Sequence, residues 1–472
     1  MPSLSSKLPP YSGKYAVGLV DVEVPVSQPR HISEAVLKET GEVAFNLTTV
    51  LFSLYYPAVL NDAASSPRAP RHPWVEKPIS STAEGYARFA KFNNKLSRSI
   101  FAFALWMLAG STSIPAHVDA PLHGSGSGTT KTHLDYEAEH PSDDYGLPRF
   151  PLIVFSHGIA SSRTSYSQYC AEMASRGFIV AAIEHRDGSA PATMIHSKAG
   201  QKLRCHFNAA DLKPRPELAA FKAAQLSMRE AEVAETVRVL REINNGRGRA
   251  VYQSNMRTEG VELAAWRGRI MWDRIVMGGH SFGATLALQV LKEPSEAMPF
   301  VGAIVFDPGK HSGPLQDDIN VPLVIVHSQS WSSKVSVFHG RPHFEVVKDL
   351  VKKVNEDKKK YAWFMTCKKS SHATVTDAPL IEPLLLSWST GSAIGAHDGV
   401  LQYVKISQQF LHYLKDGHRQ SILREAITHH TYDDPNPRKV DPKIGNFWQI
   451  HMSPSVDCPA PGYCGLDDSD DG

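Results

Sequence analysis

The chain is poor in cysteine, and its cysteines are badly placed for cross-linking or for metal. Cys170, Cys205, Cys367, Cys458 and Cys464 are the only five in 472 residues. None forms a CxxC pair, which argues against the usual structural zinc sites. Cys458 and Cys464 are close enough in sequence to bridge, but in a reducing compartment two free thiols are the expectation. Charge excess is also missing. Lys plus Arg is 50 against 48 Asp plus Glu, a net of +2, which argues against nucleic acid as the main partner. No apolar run reaches the roughly 20 residues that a membrane-crossing helix needs. The longest, "SIFAFALWMLAG" from Ser99 to Gly110, reads as a buried helix; the alternative is an interfacial helix touching lipid. Met1 to Lys7 has no apolar core of the signal-peptide kind, and Pro2 stands where myristoylation needs glycine. A cytoplasmic chain, at most peripherally associated with membrane, is therefore expected. No internal repeat is present.

What the chain does have is enough apolar material for a large core, with a hydrophobic fraction of 42%. Tyr15 to Val24 and Val43 to Pro57 read as N-terminal strands. Tyr86 to Leu108 reads as helical, and His123 to His133 ("HGSGSGTTKTH") as a flexible loop. From Phe150 onward, solid apolar runs alternate with helical segments. The runs are Phe150 to Ser156, Phe178 to Ile183, Arg274 to Gly278, Phe300 to Phe306, Val321 to His327 and Tyr361 to Cys367. Between and after them lie Tyr166 to Arg176, Pro216 to Ile243, Phe282 to Leu291, Phe344 to Val354 and Val404 to Leu414. Such alternation predicts an α/β fold, a mostly parallel sheet covered on both faces. Residues 1–432 are expected to form a single domain, with N-terminal strands over 15–57 and a catalytic core over 150–415. Residues 433–472, rich in Pro, Asn and acid and ending in the Asp467 to Asp471 tail, are expected to be a loosely ordered extension.

One short stretch carries chemistry. "IVMGGHSFGATLAL", Ile275 to Leu288, holds Gly279-His280-Ser281-Phe282-Gly283 between a strand and a small-residue helix. At average glycine usage a G-x-S-x-G occurs by chance in roughly one such chain in six, so the motif alone is weak. The strand–turn–helix context is what a nucleophile elbow requires. A second donor for a tetrahedral oxyanion would come from the loop after an earlier strand. His157-Gly158 follows "PLIVFS" directly, making the Ile159 and Phe282 amides the natural pair. The base should follow the serine and the acid in chain order. His311, His327, His339, His343, His372 and His397 are available, and His372, in the loop after "YAWFMTC", is the best placed. His339 and His343 fall in what reads as a polar insertion. Asp307 ends the run "VGAIVFDPG" and is the preferred acid. Asp317 and Asp318 lie in loop sequence, and Asp377, which follows the histidine, is the poorer rival. The charged stretch Glu184-His185-Arg186-Asp187 reads equally as a charged site or as an ion-paired loop shaping the pocket.

Several of these segments together resemble one family. "PLIVFSHGIASSRTSYS", "ASRGFIVAAIEHRDGSAPAT", "GGHSFGAT", "VFDPG" and "SSHATVTD" are similar to the platelet-activating factor acetylhydrolases of the plasma and intracellular type II kind. "SGKYAVGLVDVEV", "LFSLYYPA" and "SIPAHVDAPL" resemble that family's N-terminal part. The resemblance runs from about Tyr15 to Leu414, interrupted by insertions such as Gly124 to His140 and Val251 to Arg267. It implies an α/β-hydrolase fold and calcium-independent hydrolysis of short or oxidised sn-2 acyl chains of phospholipids, with no cofactor and no metal. It also implies triad roles for Ser281, Asp307 and His372 and oxyanion roles for the Ile159 and Phe282 amides. Two segments depart from the family: "PGKHSGPLQDD" after Asp307, and the stretch beyond Leu414.

Overall fold

In the computed structural model of the chain, residues 7–60, 70–125, 146–198, 200–292, 294–334, 336–338, 340–383 and 390–454 are described. The main elements are β1 (Ala16–His31), β2 (Asn46–Ala58), α1 (Ile79–Phe89), α2 (Lys95–Ala109), β3 (His117–Val118), β4 (Phe150–Ser156), α3 (Ser167–Ala174) and β5 (Ile179–Glu184). They continue with α4 (Leu218–Glu242), β6 (Ile270–His280), α5 (Phe282–Gln289), β7 (Phe300–Phe306), β8 (Leu323–Ser328), α6 (His343–Glu356), β9 (Ala362–Cys367), α7 (Ala396–Asp416) and β10 (Trp448–Met452). The ten strands form one sheet in the order β10-β9-β8-β7-β6-β4-β5-β2-β1-β3. The six from β9 to β5 run parallel. β2 joins β5 antiparallel, β1 joins β2 antiparallel, and β10 joins β9 antiparallel.

The apolar runs are strands buried on both faces, and β4 shows why. Leu152 and Val154 point into a core shared with α4, α5 and α6, while Ile153 and Phe155 point into a second core shared with α3 and α7. A period of two, flanked by a helical layer on each side, leaves no solvent-facing position to be polar. This is the α/β-hydrolase arrangement expected from the sequence. A hairpin of Ala192–Ser197 and Gly200–Cys205, not anticipated, follows β5.

Three expectations need correction. The single helix over Tyr86 to Leu108 is two helices. Asn94 opens the second by accepting the Ser97 N–H at 2.9 Å, while Ser97 Oγ accepts the Asn94 N–H at 3.1 Å. This capping box starts a new helix and so breaks the old one. The apolar run from Ser99 to Gly110 is not a buried helix either. Only Ala109 of α2 is buried, whereas Leu96, Ile100, Phe103 and Trp106 are 72%, 58%, 62% and 46% exposed. No helix among the described residues is long and apolar enough to cross a membrane. The extension beyond residue 432 is not wholly loose: Trp448, Ile450 and His451 of β10 are buried against β9. Pairing there covers an otherwise open sheet edge, and aromatic and β-branched residues supply the buried face. Cys170, Cys205 and Cys367 are free thiols. Cys458, Cys464, the Asp467 to Asp471 tail and most of the His123 to His133 loop lie outside the described residues.

The sheet positions the site at one junction. Gly278 and Gly279 of β6 pair with Phe155 and Ser156 of β4, so the end of β6 lies against the end of β4. A Cβ on Gly279 would stand 2.2 Å from the Gly283 carbonyl oxygen, and one on Gly283 would stand 2.1 Å from the Ser156 carbonyl oxygen. Both glycines are therefore demanded by the approach of backbone to backbone. Gly283→Ala should lower unfolding stability by at least the roughly 1–3 kcal/mol typical of overpacking, because rigid backbone must move. Urea unfolding would check this, and an unchanged midpoint would show that the junction has room to spare.

Candidate active site

Ser281 sits between β6 and α5 at φ 57°, ψ −118°. A non-glycine residue at positive φ is strained, and surrounding structure must hold it there. Here its N–H donates to the Phe306 carbonyl at 2.9 Å, and α5 begins at the next residue. The strain lifts the Ser281 side chain out of the strand. The free N–H groups of the first turn of α5 lie beside it.

Asp307 follows β7, also at positive φ, 47°. Its Oδ1 accepts the Ser328 N–H at 2.6 Å, and its Oδ2 accepts the Ser328 hydroxyl at 2.7 Å. The same Oδ2 lies 2.8 Å from Nδ1 of His372. With the carboxylate on Nδ1, Nε2 is left as the basic nitrogen. The His372 backbone N–H donates to Ser330 Oγ at 2.9 Å, and the Trp331 indole stacks on the imidazole with centroids 4.0 Å apart and planes 10° apart. Trp331 is held in turn by its Nε1–H on the Pro308 carbonyl (3.1 Å) and by the Lys310 ammonium 4.6 Å from its ring centroid. Burial pulls the Lys310 pKa down to about 8. Ser328, Ser330 and Trp331 were not singled out in the sequence. In "VPLVIVHSQS" the Ser328 hydroxyl grips the Asp307 carboxylate and the Ser330 hydroxyl holds the His372 backbone.

The structure separates the candidates. Asp377 does not meet His372. Its carboxylate accepts Ser167 N–H and Gln168 N–H, each at 2.9 Å, and Trp74 Nε1–H at 2.9 Å, so it binds the start of α3 to the loop holding Trp74. Asp317 and Asp318 pair with Lys353 and Lys358 at the surface. His327 and His343 are buried and stacked 5.5 Å apart, so His343 does not belong to a polar insertion. His397 is half-buried near Glu172, His311 is exposed, and His339 lies outside the described residues. No hydrogen bond joins the Ser281 hydroxyl to His372 among the described residues; a catalytic contact of this kind is often loose before substrate arrives. The His280 ring lies against His372, with centroids 4.4 Å apart. His280, Asp307 and His372 form a compact His/acid group. The Asp307 oxygens are taken by N–H and O–H donors and His280 Nδ1 lies 2.8 Å from the Tyr166 hydroxyl, which suits proton transfer better than metal ligation.

The loop after β4 closes over the serine. A Cβ on Gly158 would stand 3.1 Å from the Ser281 Cβ, so a larger residue there would crowd the serine. The Ile159 and Phe282 amides have no protein acceptor among the described residues. The Phe282 ring is covered by the Arg229 guanidinium at 4.5 Å and the Lys222 ammonium at 4.8 Å. A cavity of about 250 Å³ opens between α2, the loop after Ile159 and the segment after His372, with Trp74, Tyr86, Leu105, Leu108, Arg163 and Ile381 in its wall.

Behind the site lies a buried polar layer. Burial holds His157, His343 and His451 down to about 3, and His185, His280 and His327 well below the ordinary value. Burial pushes Glu184 and Asp377 up to about 7 and Glu232 up to about 8. The two groups act oppositely on stability. Histidines with depressed folded pKa values contribute stability present above about 6.5 and lost as pH falls toward 3. Carboxyls with raised values contribute stability present below about 4 and lost as pH rises through 7 to 8. Between about pH 4.5 and 6.5 the six histidines outnumber the three carboxyls. Unfolding should take up protons, so stability falls on acidification. Urea midpoints at pH 7 and pH 5 test this; an equal or higher midpoint at pH 5 would contradict it.

Comparison with known proteins gives the family. Residues 2–425 match the family model described as platelet-activating factor acetylhydrolase, isoform II. The platelet-activating factor acetylhydrolase of Canis lupus familiaris is 37% identical over 150 residues, 31% of this chain and 32% of that protein. The Cavia porcellus protein of the same name is 29% identical over 290 residues, 59% of this chain and 55% of that one. A putative phospholipase A2 of Schizosaccharomyces pombe is 24% identical over 298 residues, 60% of this chain and 58% of that one. The matched stretches thus span from about a third to somewhat over half the length of these relatives. Among solved structures, a ferulic acid esterase from Streptomyces cinnamoneus superposes with a TM-score of 0.53 at 17% identity, covering 89% of this chain and 96% of its own, which speaks to the fold alone. With the match extending over nearly the whole sequence, the chain belongs to the platelet-activating factor acetylhydrolase isoform II family.

Proposed function

We propose that the chain is a serine esterase that hydrolyses short or oxidised sn-2 acyl chains of phospholipids, without calcium and through an acyl-enzyme. The observation that carries this reading is the 2.8 Å Asp307–His372 contact set beside a strained serine at a helix start. Ser281 attacks the ester carbonyl and His372 Nε2 takes its proton. Asp307 holds the ring and stabilises the imidazolium. The Ile159 and Phe282 amides receive the oxyanion; one such donor is typically worth about 3–4 kcal/mol of barrier. His372 then protonates the departing lyso-phospholipid alkoxide, and a water it deprotonates releases the short acid. Amides and imidazolium carry the developing charge, so no step requires a divalent cation. A cytoplasmic location is part of the reading, supported by the free thiols of Cys170, Cys205 and Cys367.

Ser281→Ala should abolish turnover and labelling by a fluorophosphonate while the protein stays folded. Asp307→Asn should cut kcat by about 10³–10⁴-fold, because the amide favours the wrong imidazole tautomer. Asp377→Asn should change kcat little, since that carboxylate serves α3. Turnover surviving in Ser281→Ala, or the reverse ranking of the two aspartates, would remove the assignment. A panel of short-chain esters, triacylglycerols and phosphatidylcholines of graded sn-2 length separates a phospholipid esterase from a general one.

A lipid substrate must leave an aggregate to reach Ser281, and α2 offers the contact. Leu96, Ile100, Phe103 and Trp106 follow helical spacing, stand exposed, and share one face, with exposed Phe92 just before the helix, while Leu105 and Leu108 line the cavity between α2 and the loop after Ile159. With a net charge of +2 the attraction is apolar rather than electrostatic. Trp106→Asp should weaken binding to phosphatidylcholine vesicles and leave hydrolysis of a soluble short ester nearly unchanged, with no loss of thermal midpoint. A joint fall of both activities would place Trp106 in the fold instead.

A further inference from the structure

The oxyanion loop is held by bonds that leave a single amide free, and their pattern assigns a task to a buried histidine. His157 is 1% exposed and follows β4 directly. Its Nε2 accepts the His185 backbone N–H at 3.1 Å. A nitrogen that accepts carries no proton, so the proton of the neutral ring is on Nδ1. Burial, and after it the Arg229 charge, hold the ring neutral. Nδ1 lies 2.7 Å from the Gly158 carbonyl oxygen, to which it therefore donates. That carbonyl belongs to the same peptide plane as the Ile159 N–H. The peptide is trans, so the two groups point in opposite directions. Pulling the carbonyl inward onto His157 turns the Ile159 N–H the opposite way, in the loop whose Gly158 lies against Ser281.

The preceding peptide is clamped at both ends. The His157 carbonyl accepts Arg229 Nη1–H at 2.7 Å, and the Gly158 N–H donates to the Tyr166 hydroxyl at 3.1 Å. Arg229 is itself fixed on Asp187 at 2.7 Å and on Ser189 Oγ at 2.5 Å. Three of the four polar groups of two consecutive peptides are thus occupied inside the protein. We propose that His157 is a positioning residue for the oxyanion hole, fixing the Gly158–Ile159 peptide plane through its Nδ1–H while Arg229 and Tyr166 lock the plane before it. The inference rests on the esterase reading of Ser281.

Two substitutions at one site separate positioning from stability. Asn places a donating amide near the position of Nδ1, whereas Gln places its amide near Nε2 and leaves the Gly158 carbonyl without a donor. His157→Gln should lower kcat by about 10²–10³-fold with KM changed by no more than about threefold, the signature of a contact made in the transition state. Its affinity for a trifluoromethyl ketone, which forms a tetrahedral oxyanion on the serine, should fall in parallel with kcat/KM. His157→Asn should stay within about tenfold of the wild type in kcat. Should His157→Gln fail to fold, Tyr166→Phe removes only the hydroxyl on the Gly158 N–H and should show the same kcat-specific loss in smaller measure. Equal losses in Asn and Gln that follow their thermal midpoints, or full activity in Gln, would overturn the proposal; so would an unchanged kcat in Tyr166→Phe if that variant has to stand in. A wild-type protein that ignores the ketone, together with an active Ser281→Ala, would instead bring down the esterase reading and this inference with it.

Discussion

One wholly buried guanidinium ties the working parts together. Arg229, on α4, reaches Asp187 and Ser189 after β5, the His157 carbonyl after β4, Ser156 at the end of β4, and the face of Phe282 at the start of α5. A lone charge at that depth would cost several kcal/mol, and Asp187 with its hydrogen-bonded neighbours offsets this. The start of α5 and the loop after β4 therefore share one wholly buried side chain as an anchor. Removing either partner would strand the other, which makes the pair a strict constraint and not a source of surplus stability.

The same device recurs on the far side of the catalytic loops. Arg186 reaches the Thr49 carbonyl at 2.8 Å and pairs with Glu23, and Arg257 pairs with Glu23 at 2.6 Å and Glu76 at 2.7 Å. Arg163 pairs with Asp21 at 2.6 Å, while its N–H donates to Glu184 at 2.9 Å. These pairs stitch β1 and β2, the antiparallel extension of the sheet, onto the loops that follow β4 and β5. The long N-terminal strands are thus part of the scaffold of the site. The charged Glu184-His185-Arg186-Asp187 stretch is an ion-paired loop, and its members face in two directions, Arg186 toward β1 and β2 and Asp187 toward Arg229.

The Asp307–His372 side is built differently. Among the described residues no guanidinium bonds to Asp307 or His372. Asp307 rests on the backbone and hydroxyl of Ser328, and His372 lies between the Trp331 ring and the Asp307 carboxylate. One edge of the site is then a rigid, charge-locked loop, and the other a stacked aromatic surface whose members come from loops after β7, β8 and β9. Chemistry at the ends of parallel strands draws on several loops at once.

Read alone, the sequence determined which segments become strands buried on both faces: each solid apolar run is one, because a strand covered on both faces has no polar position. It also determined Ser281, since two glycines around a serine between strand and helix leave few other structures, and it ranked His372 and Asp307 first through chain order. What it left ambiguous was decided by contacts across long separations. Asp307 and Asp377 are both acids near a histidine in sequence, and only folding put one on His372 and the other under α3. Lys222, Gln225, Arg229 and Glu232 share one polar stripe of α4, and that stripe is turned inward onto the loops of the site. The run from Ser99 to Gly110 reads as core, yet stands exposed. In both cases residue type sets which face differs from the other. Which face meets the protein depends on what the rest of the chain places opposite, and for α4 that is a set of hydrogen-bonding partners no local pattern contains.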